Sequence, residues 1–108
     1  MVWVFHEADD GRSCLLSVGE LVVVELAENP TTGFQWSLEA DEGVRLQASE
    51  YVQDPGGAIG GGGRRRFPMV IYQPGAFSIR AKLWRSWEGD RSICARFGLV
   101  FQVGRKER

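Results

Sequence analysis

Alternation of apolar and polar residues with a period of two runs through most of this chain. Phe77, Ile79, Ala81 and Leu83 alternate with Ser78, Arg80, Lys82 and Trp84. Ile93, Ala95, Phe97, Leu99, Phe101 and Val103 form the longest such series. Phe34, Trp36 and Leu38 repeat the pattern, as do Phe67, Met69 and Ile71. A two-residue period places one set of side chains on one face of a strand, whereas a helical stripe needs 3.6. The β-branched run Leu21-Val22-Val23-Val24 reads as a more fully buried strand.

Turn signals punctuate these runs: Asp9-Asp10-Gly11, Val18-Gly19-Glu20, Asn29-Pro30, Asp41-Glu42-Gly43, Asp54-Pro55-Gly56-Gly57 and Pro74-Gly75. No window carries an apolar stripe of helical period. Short strands at this spacing predict an all-β chain, an immunoglobulin-like antiparallel β-sandwich of seven or eight strands. A length of 108 residues suits one domain over 1–108. The C-terminal Arg105-Lys106-Glu107-Arg108 reads as a frayed, solvated end.

Charge narrows the partners. Thirteen basic and 14 acidic residues leave a net charge of −1, which gives no general attraction to nucleic acid or anionic lipid. No apolar run approaches the roughly 20 residues of a membrane helix. The expectation is a monomer with neither a nucleic-acid nor a membrane partner. The first residues, Met1-Val2-Trp3-Val4-Phe5-His6-Glu7, lack a basic segment followed by a sustained apolar one. The chain therefore reads as cytoplasmic, or as periplasmic or secreted if a leader was removed.

Parity places Cys14 with Leu16 and Val18 on a core face, and Cys94 with Arg96 and Gln102 on the wetter one. Both are expected to be free thiols, because a bridge would need side chains from opposite faces to meet. The lone His6, in an N-terminal strand, has no nucleophile with an orienting group beside it in the pattern. No Cys and His are spaced like zinc ligands. The sequence predicts no catalytic residue, metal or cofactor, and no enzyme.

Three loops are more specific than ordinary turns. In Asn29-Pro30-Thr31-Thr32-Gly33-Phe34, Pro30 fixes its own φ and restricts Asn29, and the β-branched threonines narrow the choices after it. Gly33 permits a positive φ. A loop stiff before binding loses little entropy when it docks. The same residues would also serve as a plain strand-joining turn, and Phe34 suits either core or contact.

The second loop runs from Gly56 through Gly60, Gly61, Gly62 and Gly63 to Arg64. Four successive glycines are costly to order and are not expected from packing needs. They suit a mobile loop whose main chain approaches a partner. A phosphate cradle would need these glycines to open a helix, but here they lead into a strand. Alternation sets Arg65 opposite Arg64 and Arg66, which favours a solvated strand over a nucleic-acid patch. The third loop, Arg85-Ser86-Trp87, has the Trp and Arg composition of a binding hot spot. Trp87 or Trp84 could instead fold back over the end of the sandwich, stacked by Arg85.

These three loops, in this order and over nearly the whole chain, resemble the chagasin family of cysteine protease inhibitors. The resemblance implies an immunoglobulin-like sandwich with the three loops at one end. It implies that Asn29 to Phe34 enters the active-site cleft of a papain-like cysteine protease. Gly60 to Gly63 with Arg64, and Arg85, Ser86 and Trp87, would then grip the walls. Inhibition would be reversible and non-covalent. Two departures stand out. Ser86 occupies the place where the family usually has Pro, freeing one φ. Arg64-Arg65-Arg66 stands where members often carry an acidic residue or His, and would steer association toward an acidic surface. The alternative reading is an adhesive or carbohydrate-binding module of the same fold class.

Overall fold

The computed structural model describes residues 1–55 and 62–105, so the expectations for 56–61, Gly60 and Gly61 among them, and for 106–108 lie outside the described residues. The described residues form nine strands and short 3-10 turns, with no α-helix among them. The strands are β1 (Val2–Phe5), β2 (Ser13–Ser17), β3 (Leu21–Glu28), β4 (Gln35–Ala40), β5 (Val44–Leu46), β6 (Glu50–Gln53), β7 (Gly63–Ile71), β8 (Gly75–Trp84) and β9 (Ala95–Gly104). One sheet has the order β1-β3-β7, with β5 and β6 both on the far side of β7; the other has the order β2-β9-β8-β4.

The all-β expectation holds, and the pairing adds a detail. Most neighbours are antiparallel, but β1 runs parallel to β3 and β2 parallel to β9. The N-terminal stretch edges the first sheet as β1, crosses through a 3-10 turn at Glu7–Asp9, and edges the second sheet as β2. Alternation fixes which face a residue takes but not the direction of its neighbour, so both sheets are mixed. His6 is not within a strand: it precedes that 3-10 turn, exposed, with Nε2 3.0 Å from Glu25.

Strand β7 explains the ninth strand. In an antiparallel ladder a residue's N–H and C=O point to the same side. The Pro68 carbonyl accepts from the Gln47 N–H at 2.9 Å, so its missing N–H also faces that edge. The edge strand breaks there into β5 and β6, because Pro68 offers no donor to continue the ladder.

The core sits between the sheets and follows the parity read from sequence. Val22, Val24 and Leu26 of β3, Met69 and Ile71 of β7, Ile79 of β8 and Leu99 and Phe101 of β9 are almost fully buried. Each such side chain contributes on the order of 1.5–3 kcal/mol by leaving water. Cys14 is buried, Cys94 is exposed, and both are free. This frame brings to one end the β3–β4 and β8–β9 connections and, beside them, Asp54 and Gly62, where the Asp54 N–H donates to the Gly62 carbonyl at 3.3 Å.

Candidate functional site

The Asn29–Gly33 connection is a 3-10 turn over Pro30–Thr32 that bonds several of its own polar groups to one another. Asn29 caps it, its Oδ1 accepting from the Thr31 N–H at 3.1 Å and the Thr31 hydroxyl at 2.7 Å. The Thr32 hydroxyl donates to the Asn29 carbonyl at 2.8 Å and accepts from the Phe34 N–H at 3.3 Å. Pro30 sits in the first turn, where its fixed φ fits and its missing donor costs nothing. Gly33 closes the turn with φ +80, a left-handed conformation that a side chain would strain. Thr31 and Thr32 are exposed, so a stiff, self-bonded tip projects from the sandwich.

The third loop is tied to the first. Arg85 donates from Nε at 3.2 Å and from Nη2 at 2.9 Å to the Thr32 carbonyl, and its guanidinium lies 4.4 Å from the centroid of the Phe34 ring. Phe34 is thus half-buried, covered by Arg85. Trp87 is 70% exposed, and the end of its indole lies against Gly33, where an added Cβ would stand 3.0 Å from it. Ser86 opens a 3-10 turn over Ser86–Glu88. The Ser92 hydroxyl accepts from the Arg85 N–H at 3.0 Å and donates toward the Arg85 and Gly89 carbonyls, fixing the loop's base. Trp84 faces outward as parity required; its Nε1 donates to Ser37 Oγ at 2.9 Å, and Lys82 Nζ sits 3.6 Å from its ring centre.

Beneath the first loop lies a buried ion pair. Glu28 Oε2 accepts from Arg65 Nε at 3.0 Å and Nη2 at 2.8 Å, and Oε1 accepts from the Trp36 N–H at 2.8 Å. Trp36 in turn donates its indole N–H to the Ala27 carbonyl at 2.9 Å. A buried carboxylate persists only when paired and hydrogen-bonded, as this one is. Glu28 and Arg65 tie the foot of the first loop to the strand that leaves the glycine loop.

Two expectations change here. Gly63 is a packing residue: it is buried, and any side chain would overlap the Val52 carbonyl oxygen and stand 2.5 Å from the Tyr51 hydroxyl. Gly62 has ordinary room, with the Glu28 carbonyl 3.5 Å from an added Cβ. The arginine run is not a common steering patch either. Arg65 is spent on Glu28, and Arg66 pairs with Glu25 at 2.8 Å and Glu50 at 3.0 Å. Among the described residues Arg64 pairs loosely with Glu7 at 3.8 Å, and its side chain is 44% exposed.

The structure therefore brings Asn29 to Phe34, Gly62, Gly63, Arg64 and Arg85 to Trp87 to one end. Sequence reasoning missed Glu28, Glu7 and Ser92. Glu28 carried a signal: it continues the inward parity of Val22, Val24 and Leu26. Glu7 accepts the Ala27 N–H and supports the same end from the N-terminal turn. Among the described residues no group of His, Cys, Asp and Glu is placed to hold a metal.

The described residues form a two-sheet sandwich that presents a self-bonded tip at one end, with the loop of Arg85 to Trp87 against it. The chain belongs to the chagasin family of peptidase inhibitors: the family described as Chagasin family peptidase inhibitor I42 matches residues 15–100. It is 29% identical over 103 residues to chagasin from Trypanosoma cruzi, covering 90% of this chain and 94% of that one. Its fold is similar to that of Amebosin, with a TM-score of 0.80, 26% identity, and 96% and 99% of the two chains covered. The fold also resembles that of the cysteine protease inhibitor EhICP2 from Entamoeba histolytica, with a TM-score of 0.83, 17% identity and 95% of each chain covered. The protein is a cysteine protease inhibitor. The adhesive-module alternative falls with that membership.

Proposed function

We propose that this protein inhibits papain-like cysteine proteases by lodging the loop from Asn29 to Phe34 in the active-site cleft. The glycine loop, with Gly60 to Gly63 and Arg64, and the loop of Arg85, Ser86 and Trp87 flank it. The single domain 1–108 acts by occlusion, reversibly and without covalent chemistry. The observation that carries this reading is the tip itself: Asn29, Pro30, Thr31, Thr32 and Gly33 are hydrogen-bonded to one another, and Arg85 takes the Thr32 carbonyl, before any partner arrives. Such a tip enters a cleft without first having to order itself. Exposed Trp87 beside it supplies the aromatic area usual in binding hot spots.

The test is titration of papain activity with the purified protein, using a small fluorogenic substrate. Stoichiometric inhibition that reverses on dilution, with the inhibitor chain recovered intact, is the expected result. No inhibition of papain or of two related cathepsins overturns the reading.

A further inference from the structure

We propose that Arg85 is a positioning residue rather than a protease contact: its guanidinium fork holds the Asn29–Gly33 tip in its docking shape through the Thr32 carbonyl. This rests on the inhibitory reading of that tip. Three of the five guanidinium N–H donors of Arg85 are already committed. Nε and Nη2 converge on the Thr32 oxygen at 3.2 and 2.9 Å, and Nη1 donates to Glu88 at 3.3 Å. One face of the guanidinium plane covers Phe34. The backbone of Arg85 is pinned at both N–H and carbonyl by Ser92.

The acceptor matters as much as the donor. Carbonyls in the last turn of a helical segment lack partners within it. In this turn the Asn29 carbonyl is taken by the Thr32 N–H and the Pro30 carbonyl by the Gly33 N–H. The Thr32 carbonyl is taken by Arg85, 53 residues away in sequence. Two converging N–H groups define direction as well as distance, which a rotating ammonium cannot do. The N–H groups that Arg85 directs at Thr32 could grip a protease only by releasing that carbonyl and uncovering Phe34, which would loosen the element that binds. The same clamp offsets the φ freedom of Ser86, because the loop is fixed by Ser92 on one side and by Thr32 on the other.

The experiment uses the full chain with Arg85→Ala and Arg85→Lys. Amide hydrogen exchange is read at Thr32, Gly33 and Phe34 in the free protein, and stopped-flow rates are read with papain. In both variants exchange at these amides should rise by about tenfold or more, as for a locally opened segment. Association should slow by about threefold or more, while dissociation changes less. Exchange at the parent rate in both variants overturns the proposal. So does faster exchange with an unchanged association rate, or full recovery in Arg85→Lys. Should Arg85→Ala fail to fold, the lysine variant decides. If the parent chain does not inhibit papain, the functional reading fails, and the exchange rates still decide the clamp.

Discussion

Glu28 and Arg65, 37 residues apart in sequence, meet through two hydrogen bonds of 3.0 and 2.8 Å at the foot of the inhibitory tip. The Glu28 side chain is 1% exposed and that of Arg65 16%, so water does little to screen the pair. The other Glu28 oxygen holds the Trp36 N–H at the start of β4, just beyond the tip. One carboxylate therefore ties together the strand entering the first loop, the strand leaving it, and the strand leaving the glycine loop.

Removing the cation should cost more than neutralising the anion. Arg65→Met leaves a buried carboxylate without its counter-charge and should destabilise by about 3 kcal/mol or more. Glu28→Gln keeps an acceptor for the Trp36 N–H and should cost about 1–2 kcal/mol. Urea denaturation of both variants checks the order. An Arg65→Met loss below about 1 kcal/mol would mean the pair is not structural.

Neighbouring glycines should respond differently. Gly63→Ala forces a methyl into the Val52 carbonyl, a backbone atom held in the β6–β7 ladder, and should cost about 2 kcal/mol or more. Gly62→Ala meets only ordinary contact distances and should cost less than about 1 kcal/mol. Equal melting temperatures for the two variants would contradict the packing role of Gly63.

Binding should depend on the tip and on Trp87 in distinct ways. Trp87→Ala removes a 70% exposed indole and should weaken protease binding by about 2 kcal/mol, chiefly through faster dissociation. The double variant Thr31→Ala, Thr32→Ala deletes the hydroxyl bonds that stiffen the tip and should lower affinity without unfolding the domain. Surface plasmon resonance with immobilised papain reads both effects. A double variant that binds like the parent would remove the tip from the mechanism.

The two thiols should separate by reactivity. Burial pushes the Cys14 thiol up from its ordinary value, keeping it protonated, while Cys94 is exposed. Because the thiolate is the nucleophile, a disulfide reagent at neutral pH should label Cys94 quickly and Cys14 only on unfolding. Cys94→Ser should abolish the fast phase. Rapid labelling of two thiols per native chain would show that Cys14 is not sealed in the core.

Alternation alone set the faces of Phe97, Leu99 and Phe101, the outward turn of Trp84, and the opposite placement of Cys14 and Cys94. The residues of the tip were equally legible, because Pro30, the threonines and Gly33 each restrict their own backbone. Those are local properties, and a local property can be read from neighbours in the chain. Which carboxylate meets which arginine is not local. Arg64, Arg65 and Arg66 look alike in sequence, yet one is loosely paired, one is buried on Glu28 and one is shared between Glu25 and Glu50. The parallel pairing of β1 and β2, the tight seat of Gly63 under Tyr51, and the reach of Arg85 to Thr32 were likewise decided only by the packing of two sheets. A two-residue period fixes the side a residue faces; the partner waiting on that side comes from chain folded back from dozens of residues away.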